Sequence, residues 1–163
     1  MMERRVYIVL LCVLLFAAAS AVICPEPFLH IGGQCYYFSS VNATWKEARQ
    51  ACLGMREDLG ADLAVLDLTC EDYNAVFNYL TTTDIKYWWL GGTDENHEDY
   101  WIWVDGRPID MQKGYWQGEE PDRNVSQHFL HAYYVQEFYR RWRIGNLEED
   151  RVYPYVCQYR LDV

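Results

Sequence analysis

Five cysteines in a chain that we predict to be exported constrain the fold more than any other feature of the sequence. Residues 1–21 are typical of a secretory signal, because a mostly basic start leads into a long apolar run that ends in small residues suited to cleavage after Ala21. Cys12 would leave with the signal, and the remaining five cysteines would meet an oxidising compartment that favours disulfides. No pair has C-x-x-C spacing, which argues against a structural zinc site built from cysteines. An odd number leaves one thiol without an intramolecular partner.

The predicted mature part, residues 22–163, is strongly acidic. The whole chain has a formal net charge of −10 and the signal accounts for +1, so the mature part carries −11. A surface of this sign repels nucleic acid and anionic membranes, and we exclude both as partners. The alternative to a signal is a membrane anchor, but the apolar run is shorter than the roughly 20 residues that span a bilayer. We therefore predict a secreted, extracellular protein with no membrane span.

Two helices are predicted in the first half of the mature chain. The capping box Thr44-x-x-Glu47 opens the first one, and an apolar stripe at three-to-four spacing follows. The second helix starts after Thr69, and the poor helix formers at 81–83 end it. A hairpin with Gly32-Gly33 at its turn precedes both helices. The apolar stripes are Trp45, Ala48, Cys52 and Met55 in the first helix and Tyr73, Val76, Phe77 and Leu80 in the second.

Short strands and long polar loops make up the rest of the chain. Apolar and aromatic runs bounded by turn residues indicate strands, the first of which would end at Gly91-Gly92. Polar loops at 93–99 and 107–127 are long enough to carry function. Two helices, antiparallel strands and a long irregular loop predict one α+β domain over residues 22–163. The predicted strands are 87–90, 101–104, 132–135 and 152–159.

Six short motifs follow one another in a characteristic order. They are Cys24-x10-Cys35, Ala48-x3-Cys52, Trp89-Leu90-Gly91-Gly92, Trp101-x-Trp103-x-Asp105-Gly106, Trp116-x-Gly118-Glu119-Glu120-Pro121-Asp122 and Tyr155-Val156-Cys157. In this order they resemble the C-type lectin-like domain, especially the secreted single-domain lectins of invertebrates of the arthropod type. The resemblance covers nearly all of residues 22–163. It implies a disulfide-stapled C-type lectin-like fold with the disulfides Cys24–Cys35 and Cys52–Cys157.

The resemblance also implies a calcium-dependent sugar site around Glu120-Pro121-Asp122. In family members that bind sugar, a calcium ion coordinates two sugar hydroxyls, and carboxylates and amides hydrogen-bond to them. Glu120 matches the mannose-type triplet and Asp122 the galactose-type triplet, and the bond before the proline is cis in the family. Two carboxylates favour calcium but provide no amide donor, so Asn146 would take that part. Trp116 lies nearby in sequence, and its ring would stack on a sugar.

Two of the family's calcium ligands are missing. Ile144-Gly145-Asn146-Leu147 keeps the Asn of the family's Trp-Asn-Asp motif but lacks the Trp and the Asp. Gln127 or His128 stands where another acid is expected, so three ligands are retained and two are lost. The acids at 148–150 would substitute only if the backbone shifted.

The cysteines depart from the family as well. A second pair, which pins the long loop in the family, is replaced by Phe129 or Leu130 near one position and Glu149 near the other. We expect a less constrained loop that calcium would order. Cys70 has no family partner, and two interpretations are equally weighted: a disulfide-linked homodimer and a buried free thiol.

A second, auxiliary calcium site is only half present. Asp94 and Glu98 match two family ligands, but Arg123 stands where the next acid is expected, so an ordinary acidic loop is the preferred interpretation. His128 and His131 are three residues apart on a strand and would point to opposite faces, so we predict no metal-binding pair.

Three functions are consistent with the sequence. The first is a secreted carbohydrate-binding lectin, calcium-dependent, that recognises microbial or cell-surface glycans in innate immunity, as the resemblance implies. The second is a calcium-independent module that binds a surface protein, which the lost ligands favour. The third, an enzyme, is disfavoured because no nucleophile elbow, phosphate loop or dinucleotide fingerprint is present. Sequons at Asn42 and Asn124 fit a secreted glycoprotein in which these loops are exposed, and the sequence leaves open whether either site carries a glycan.

Overall fold

The structure, a computed structural model, describes residues 23–55, 60–66, 70–112, 116, 118–122, 124–136 and 141–160. The signal predicted at residues 1–21 lies outside this part of the chain. Among the described residues no helix is long and apolar enough to cross a membrane. The same residues form two helices and two four-stranded antiparallel sheets, as the α+β prediction requires.

The elements follow each other in an order that places both helices before the second sheet. The helices are α1 (Trp45–Met55) and α2 (Cys70–Thr81). The first sheet has the strand order β1-β2-β8-β3, and the second has the order β5-β4-β6-β7. The strands are β1 (Leu29–Ile31), β2 (Gln34–Phe38), β3 (Asp62–Leu63), β4 (Tyr87–Thr93), β5 (Ile102–Trp103), β6 (Gln127–Val135), β7 (Arg141–Glu148) and β8 (Val156–Tyr159).

The start of α1 is fixed by the predicted capping box. The Thr44 backbone N–H donates to Glu47 Oε2 at 2.9 Å, and the Glu47 N–H donates to Thr44 Oγ1 at 3.4 Å. Two otherwise unpaired amides of the first turn are thereby satisfied. Three residues of the predicted stripe, Trp45, Ala48 and Cys52, are buried on one face.

The first sheet joins the two ends of the domain. β8 lies between β2 and β3, and the disulfide Cys52–Cys157 ties α1 to β8 with a Cα–Cα distance of 5.4 Å. The second disulfide, Cys24–Cys35, ties the segment before β1 to β2. Both pairings confirm what the resemblance implied.

The strand predicted to end at Gly91-Gly92 instead continues through both glycines to Thr93. These glycines do not make a turn. They allow close packing, because a Cβ atom on Gly91 would lie 2.8 Å from the Leu63 carbonyl oxygen and one on Gly92 would lie 2.7 Å from Leu130. Position 91 is therefore where the two sheets approach each other through their backbones.

The other strand predictions need correction as well. The strand predicted at 101–104 is only two residues long, Ile102–Trp103. The strand predicted at 132–135 begins earlier, at Gln127, and the one predicted at 152–159 begins only at Val156. β7, which pairs with β6 over its whole length, was missing from the prediction.

The core has two parts, one on each side of the second sheet. In the larger part, the α2 stripe packs against the aromatic residues of β4, β5 and β7. In the smaller part, α1 and the Cys52–Cys157 disulfide pack against Trp89 and Phe129. The Trp45 indole connects the parts, since its Nε1–H donates to the Leu90 carbonyl oxygen at 2.7 Å. This packing holds β6 and β7 in place below the long loop.

Candidate functional site

The structure brings Glu120, Asp122 and Asn146 together where the long loop reaches the second sheet. Asn146 lies on β7 and is 3% exposed. Its Oδ1 accepts a hydrogen bond from the Asp122 N–H at 3.3 Å, and its Nδ2 donates to Asp122 Oδ1 at 3.2 Å and to the Gln127 carbonyl oxygen at 3.0 Å. One buried amide therefore anchors both the loop and the start of β6.

These contacts concern two expectations. A loop lacking the family's second cysteine pair was expected to be less constrained; the Asn146 hydrogen bonds hold Asp122 to the sheet, but residues 113–115, 117 and 123 lie outside the described part of the loop, so this expectation stays a prediction. Asn146 was also expected to donate its amide to the sugar. The same bonds occupy both polar ends of the Asn146 amide inside the protein. Asn146 is therefore a positioning residue for Asp122 in this structure.

Glu120 occupies a space that Gly145 leaves open. The Glu120–Pro121 bond is cis, as the resemblance implied. A Cβ atom on residue 145 would lie 3.2 Å from the Glu120 Cδ, so a larger side chain there would displace the carboxyl group. The replacement of the family's Trp by Gly145 was visible in the sequence, but its effect on Glu120 was not.

One oxygen of the Glu120 carboxyl group has no hydrogen-bond partner. This atom, Oε2, is buried. Burial and the neighbouring Asp122 charge raise the pKa of Glu120 above its ordinary value, while the Asn146 and Asp122 backbone N–H groups oppose this rise. A buried carboxylate oxygen without a partner is a position where a bound cation would restore lost electrostatic stabilisation.

The donor set fits a calcium ion, the group that the resemblance implies. Glu120 and Asp122 provide carboxylate oxygens side by side, and calcium prefers oxygen ligands. Calcium takes 6–8 such ligands, so waters and a sugar ligand would have to supply several of them. Two acids at the end of β7 have other partners: Glu148 Oε1 accepts from Gln127 Nε2 at 2.9 Å, and Glu149 Oε2 accepts from Lys46 Nζ at 3.0 Å.

The expectation that Trp116 stacks on a sugar is wrong. Trp116 is 9% exposed and belongs to the larger core cluster, where its ring meets Trp101 edge-on at 5.7 Å. Its backbone also forms an isolated bridge with Ile144 of β7. The aromatic ring that does lie by Glu120 is Tyr133, whose pKa burial and the Glu120 charge raise to about 12.

A second cluster of polar side chains lies at the end of β4. His128 Nδ1 is 3.0 Å from Asp94 Oδ1 and 3.8 Å from Glu98 Oε2. The sequence singled out Asp94 and Glu98 together but did not connect His128 with them, because nothing in the spacing placed residue 128 beside residue 94. Arg123, which was expected to oppose an ion here, lies outside the described residues.

The remaining predicted residues are placed as follows. His131 points away from His128 into the sheet, where its Nδ1 donates to the Gly145 carbonyl oxygen at 2.9 Å, so the two histidines form no pair. Asn42 and Asn124 are exposed, and their glycosylation stays a prediction. Cys70 is the first residue of α2, but its side chain is outside what the structure describes, so the predicted homodimer also stays a prediction.

Comparison with known proteins adds a family match. A family model described as "Lectin C-type domain" matches residues 41–159. The mouse protein "CD209 antigen-like protein A" is 34% identical over 102 residues, which cover 61% of this chain and 39% of that relative. The chain thus spans less than half the length of such curated relatives.

Two solved structures show the same fold. The C-type lectin CEL-I from Cucumaria echinata aligns with a TM-score of 0.73 at 22% identity, covering 86% of this chain and 100% of that one. The C-type lectin domain of murine dendritic cell inhibitory receptor 2, in complex with N-glycan, aligns with a TM-score of 0.66 at 18% identity, covering 85% and 100%.

Proposed function

We propose, from the premise that this chain belongs to the C-type lectin domain family, that it binds glycans at the cluster formed by Glu120, Asp122 and Asn146. The expected family and fold are confirmed, and a lectin domain is a binding module, which supports a non-enzyme at the level of the family. The narrower resemblance to arthropod-type lectins is not confirmed, because the curated relatives are mammalian.

The observation that carries the proposal is the buried Glu120 Oε2, which has no hydrogen-bond partner. A carboxylate held in this state at the surface end of a sheet costs stability, and a ligand that brings positive charge or hydroxyl donors would offset that cost. Asp122 follows Glu120 closely in the loop and is exposed to solvent. A ligand can therefore reach these two carboxylates from the solvent.

Calcium, when bound by Glu120 and Asp122, would supply a centre that coordinates neighbouring sugar hydroxyls. Asn146 would hold Asp122 at the correct place through its two hydrogen bonds. The Glu120 and Asp122 carboxylates would accept hydrogen bonds that the sugar hydroxyls donate. Two carboxylates with few protein ligands around them suit the weak range of extracellular calcium sites, on the order of 10⁻⁴–10⁻³ M.

The test is retention on immobilised monosaccharides and a glycan array, each with calcium and with a chelator. The double variant Glu120→Gln/Asp122→Asn should lose at least about 10-fold in affinity, because the carboxylates both bind the ion and accept from the sugar. Glu119→Gln is the matched control, since it removes one charge from the same exposed loop next to the cluster. It should bind glycan as the unmodified protein does.

A calcium-independent protein-binding module is the second candidate. It is favoured by the Asn146 amide, whose polar atoms are used within the protein and not turned outward. Retention of a glycan in the presence of chelator, or an equal loss in Glu119→Gln, would contradict the calcium-supported site. Failure of every glycan to bind, with or without calcium, would move the function to protein recognition.

We further infer that the protein is secreted and recognises microbial or cell-surface glycans in innate immunity. The inference is supported by the signal-like pattern of residues 1–21 and by the disulfides, which persist in oxidising compartments. Recovery of the protein in the medium of expressing cells, with its N-terminus at Val22, is the result that secretion requires.

A further inference from the structure

We propose that Asp94, Glu98 and His128 form a binding site for a divalent transition-metal cation of the zinc type. Asp94 and Glu98 are the two residues that match the family's auxiliary calcium site, and His128 lies six residues after Asp122. The inference is that the histidine makes this place suit a different ion, and it does not rest on the proposed glycan function. The ligand atoms of the three side chains all lie within 4.8 Å of one another. Two atoms bound to one ion at about 2.1 Å lie at most about 4.2 Å apart, so small side-chain movements would bring all three ligand atoms into contact with a single ion.

The fold fixes two of the three ligands. Asp94 directly follows β4 and His128 lies at the start of the neighbouring strand β6. The Asp94 N–H donates to the His128 carbonyl oxygen at 3.3 Å, which holds the two backbones next to each other. Glu98 follows in the loop, four residues after Asp94. The site therefore connects the 94–99 loop to the second sheet.

Asp94 is prepared as a ligand by its surroundings. It is 4% exposed, and its Oδ2 accepts a hydrogen bond from the Asp99 N–H at 3.0 Å. Its Oδ1 forms a hydrogen bond with His128 Nδ1 at 3.0 Å, and a bound cation would take the place of the proton that these two atoms share. A ligating carboxylate held by a hydrogen bond on its second oxygen is the usual arrangement around protein-bound metals.

The spacing of the ligand atoms matches a small ion. Zinc binds oxygen and nitrogen at about 2.0–2.1 Å in tetrahedral geometry, which separates neighbouring ligand atoms by roughly 3.3 Å. The observed separations from His128 Nδ1 are 3.0 Å to Asp94 and 3.8 Å to Glu98. Because the Glu98 side chain is 44% exposed, a small side-chain rotation would bring its oxygen to the tetrahedral distance.

The histidine ligand favours a transition-metal ion over calcium at this site. Calcium takes 6–8 oxygen ligands, whereas imidazole nitrogen suits zinc, copper, nickel and iron. One nitrogen and two carboxylates complete three positions of a tetrahedron and leave the fourth open to water. His128 therefore changes the class of ion that the Asp94 and Glu98 carboxylates would bind.

The experiment is a calorimetric titration of the metal-stripped protein, disulfides formed, with Zn²⁺ in an excess of Ca²⁺. We expect one saturable zinc per chain and at least about a 10-fold loss of affinity in His128→Gln and in Glu98→Gln, by analogy with the 10–100-fold effect of changes around metal sites. His97→Gln is the matched control, because it removes a nearby exposed histidine outside the cluster. Its zinc affinity should be unchanged.

Two further measurements keep the result interpretable. Bound Co²⁺ should give the visible absorption of a low-coordination site with a nitrogen ligand, and this band should vanish in His128→Gln while the Tm of the metal-free variant stays near that of the parent. Zinc should raise the Tm of the parent only, since a ligand stabilises the state that binds it. If His128→Gln does not fold, Glu98→Gln tests the same site, because Glu98 lies at an exposed position.

Several outcomes would overturn the proposal. They are the absence of saturable zinc binding, displacement of zinc by the excess calcium, and unchanged affinity in His128→Gln or Glu98→Gln. Loss of zinc binding in Glu120→Gln/Asp122→Asn would place the ion at the other cluster instead. Unchanged zinc affinity in that double variant, together with lost glycan retention, would separate the two sites.

Discussion

His131 is a buried side chain that connects two strands of the second sheet. It is 4% exposed, and its Nδ1–H donates to the Gly145 carbonyl oxygen. Burial lowers the pKa of His131 from 6.5 to about 4, although the hydrogen bond opposes this shift. The ring is therefore neutral in the folded protein at neutral pH and joins β6 to β7 at Gly145.

This shift predicts a stability loss in mild acid. The pKa of His131 in the folded state lies below its ordinary value of 6.5, so the unfolded chain binds the extra proton between pH 6.5 and about 4. The free energy of unfolding should fall as the pH falls through this window. Between pH 7.5 and 5, the loss should be roughly 1–2 kcal/mol greater in the parent protein than in His131→Gln.

Urea unfolding at the two pH values measures this difference. His30→Gln is the matched control, because His30 is exposed on β1. The control should lose as much stability as the parent protein. An equal loss in His131→Gln and the parent would mean that His131 is not the group responsible.

Helices were easier to predict than strands, for a physical reason. Each helix carries its own signal: the Thr44 and Glu47 capping box and a buried stripe are local in sequence. β7 carries no comparable signal, because Gly145 and Asn146 interrupt its pattern and its partner β6 lies elsewhere in the chain. Pairing across a sheet decides whether such a segment is a strand.

The glycines of β4 were misread for a related reason. In a sequence, Gly91-Gly92 is typical of a turn, but the structure uses both residues for close packing inside a strand. The distance from position 91 to the Leu63 carbonyl oxygen exists only once the two sheets have met. No local pattern contains this information.

Substitution of Gly91 by alanine should therefore be costly. The added Cβ would lie 2.8 Å from the Leu63 carbonyl oxygen and 3.0 Å from that of Ala64, and backbone atoms cannot yield without moving a strand. We expect a loss of about 1–3 kcal/mol in the free energy of unfolding. Chemical denaturation with the disulfides intact measures it.

Gly54→Ala is the matched control for this experiment. Gly54 lies in α1, and an added Cβ there meets no atom within 4 Å. Because alanine favours a helix over glycine, Gly54→Ala should stabilise the protein by about 0.5–1 kcal/mol. A Gly91→Ala protein as stable as the parent would show that β4 and β3 do not pack through their backbones at this point.

The whole domain depends on contacts between residues distant in sequence, and this limits how much of the candidate site the sequence revealed. Glu120 and Asp122 were identified because they form one short motif. His128 was not connected with Asp94, because 34 residues separate them and only the pairing of β4 with β6 brings them together. The anchoring role of Asn146 and the burial of Trp116 likewise depend on where β7 lies.

The two disulfides should contribute unequally to the stability of the domain. Cys52–Cys157 has a sequence separation of 105 residues, and Cys24–Cys35 has one of 11. Loop-closure entropy assigns about 4.7 kcal/mol to the longer loop and roughly 2.7 kcal/mol to the shorter. Cys52→Ala/Cys157→Ala should therefore lose more stability than Cys24→Ala/Cys35→Ala.

Thermal and urea unfolding of both double variants under non-reducing conditions measure this difference. Each variant removes one whole pair, so neither leaves a new free thiol. Equal losses, or a larger loss on removal of the shorter loop, would contradict the entropic account of this domain.

The position of β8 also determines when the chain becomes able to fold during its synthesis. Because β8 separates β2 from β3, the three N-terminal strands of the first sheet are not a complete sheet by themselves. The ribosome releases β1, β2 and α1 long before Tyr159, and until then the apolar faces that β8 covers have no partner. Contacts of such long range form slowly and leave apolar surface open to aggregation in the meantime. Chaperone contact with the nascent chain should therefore last until its final strand has emerged.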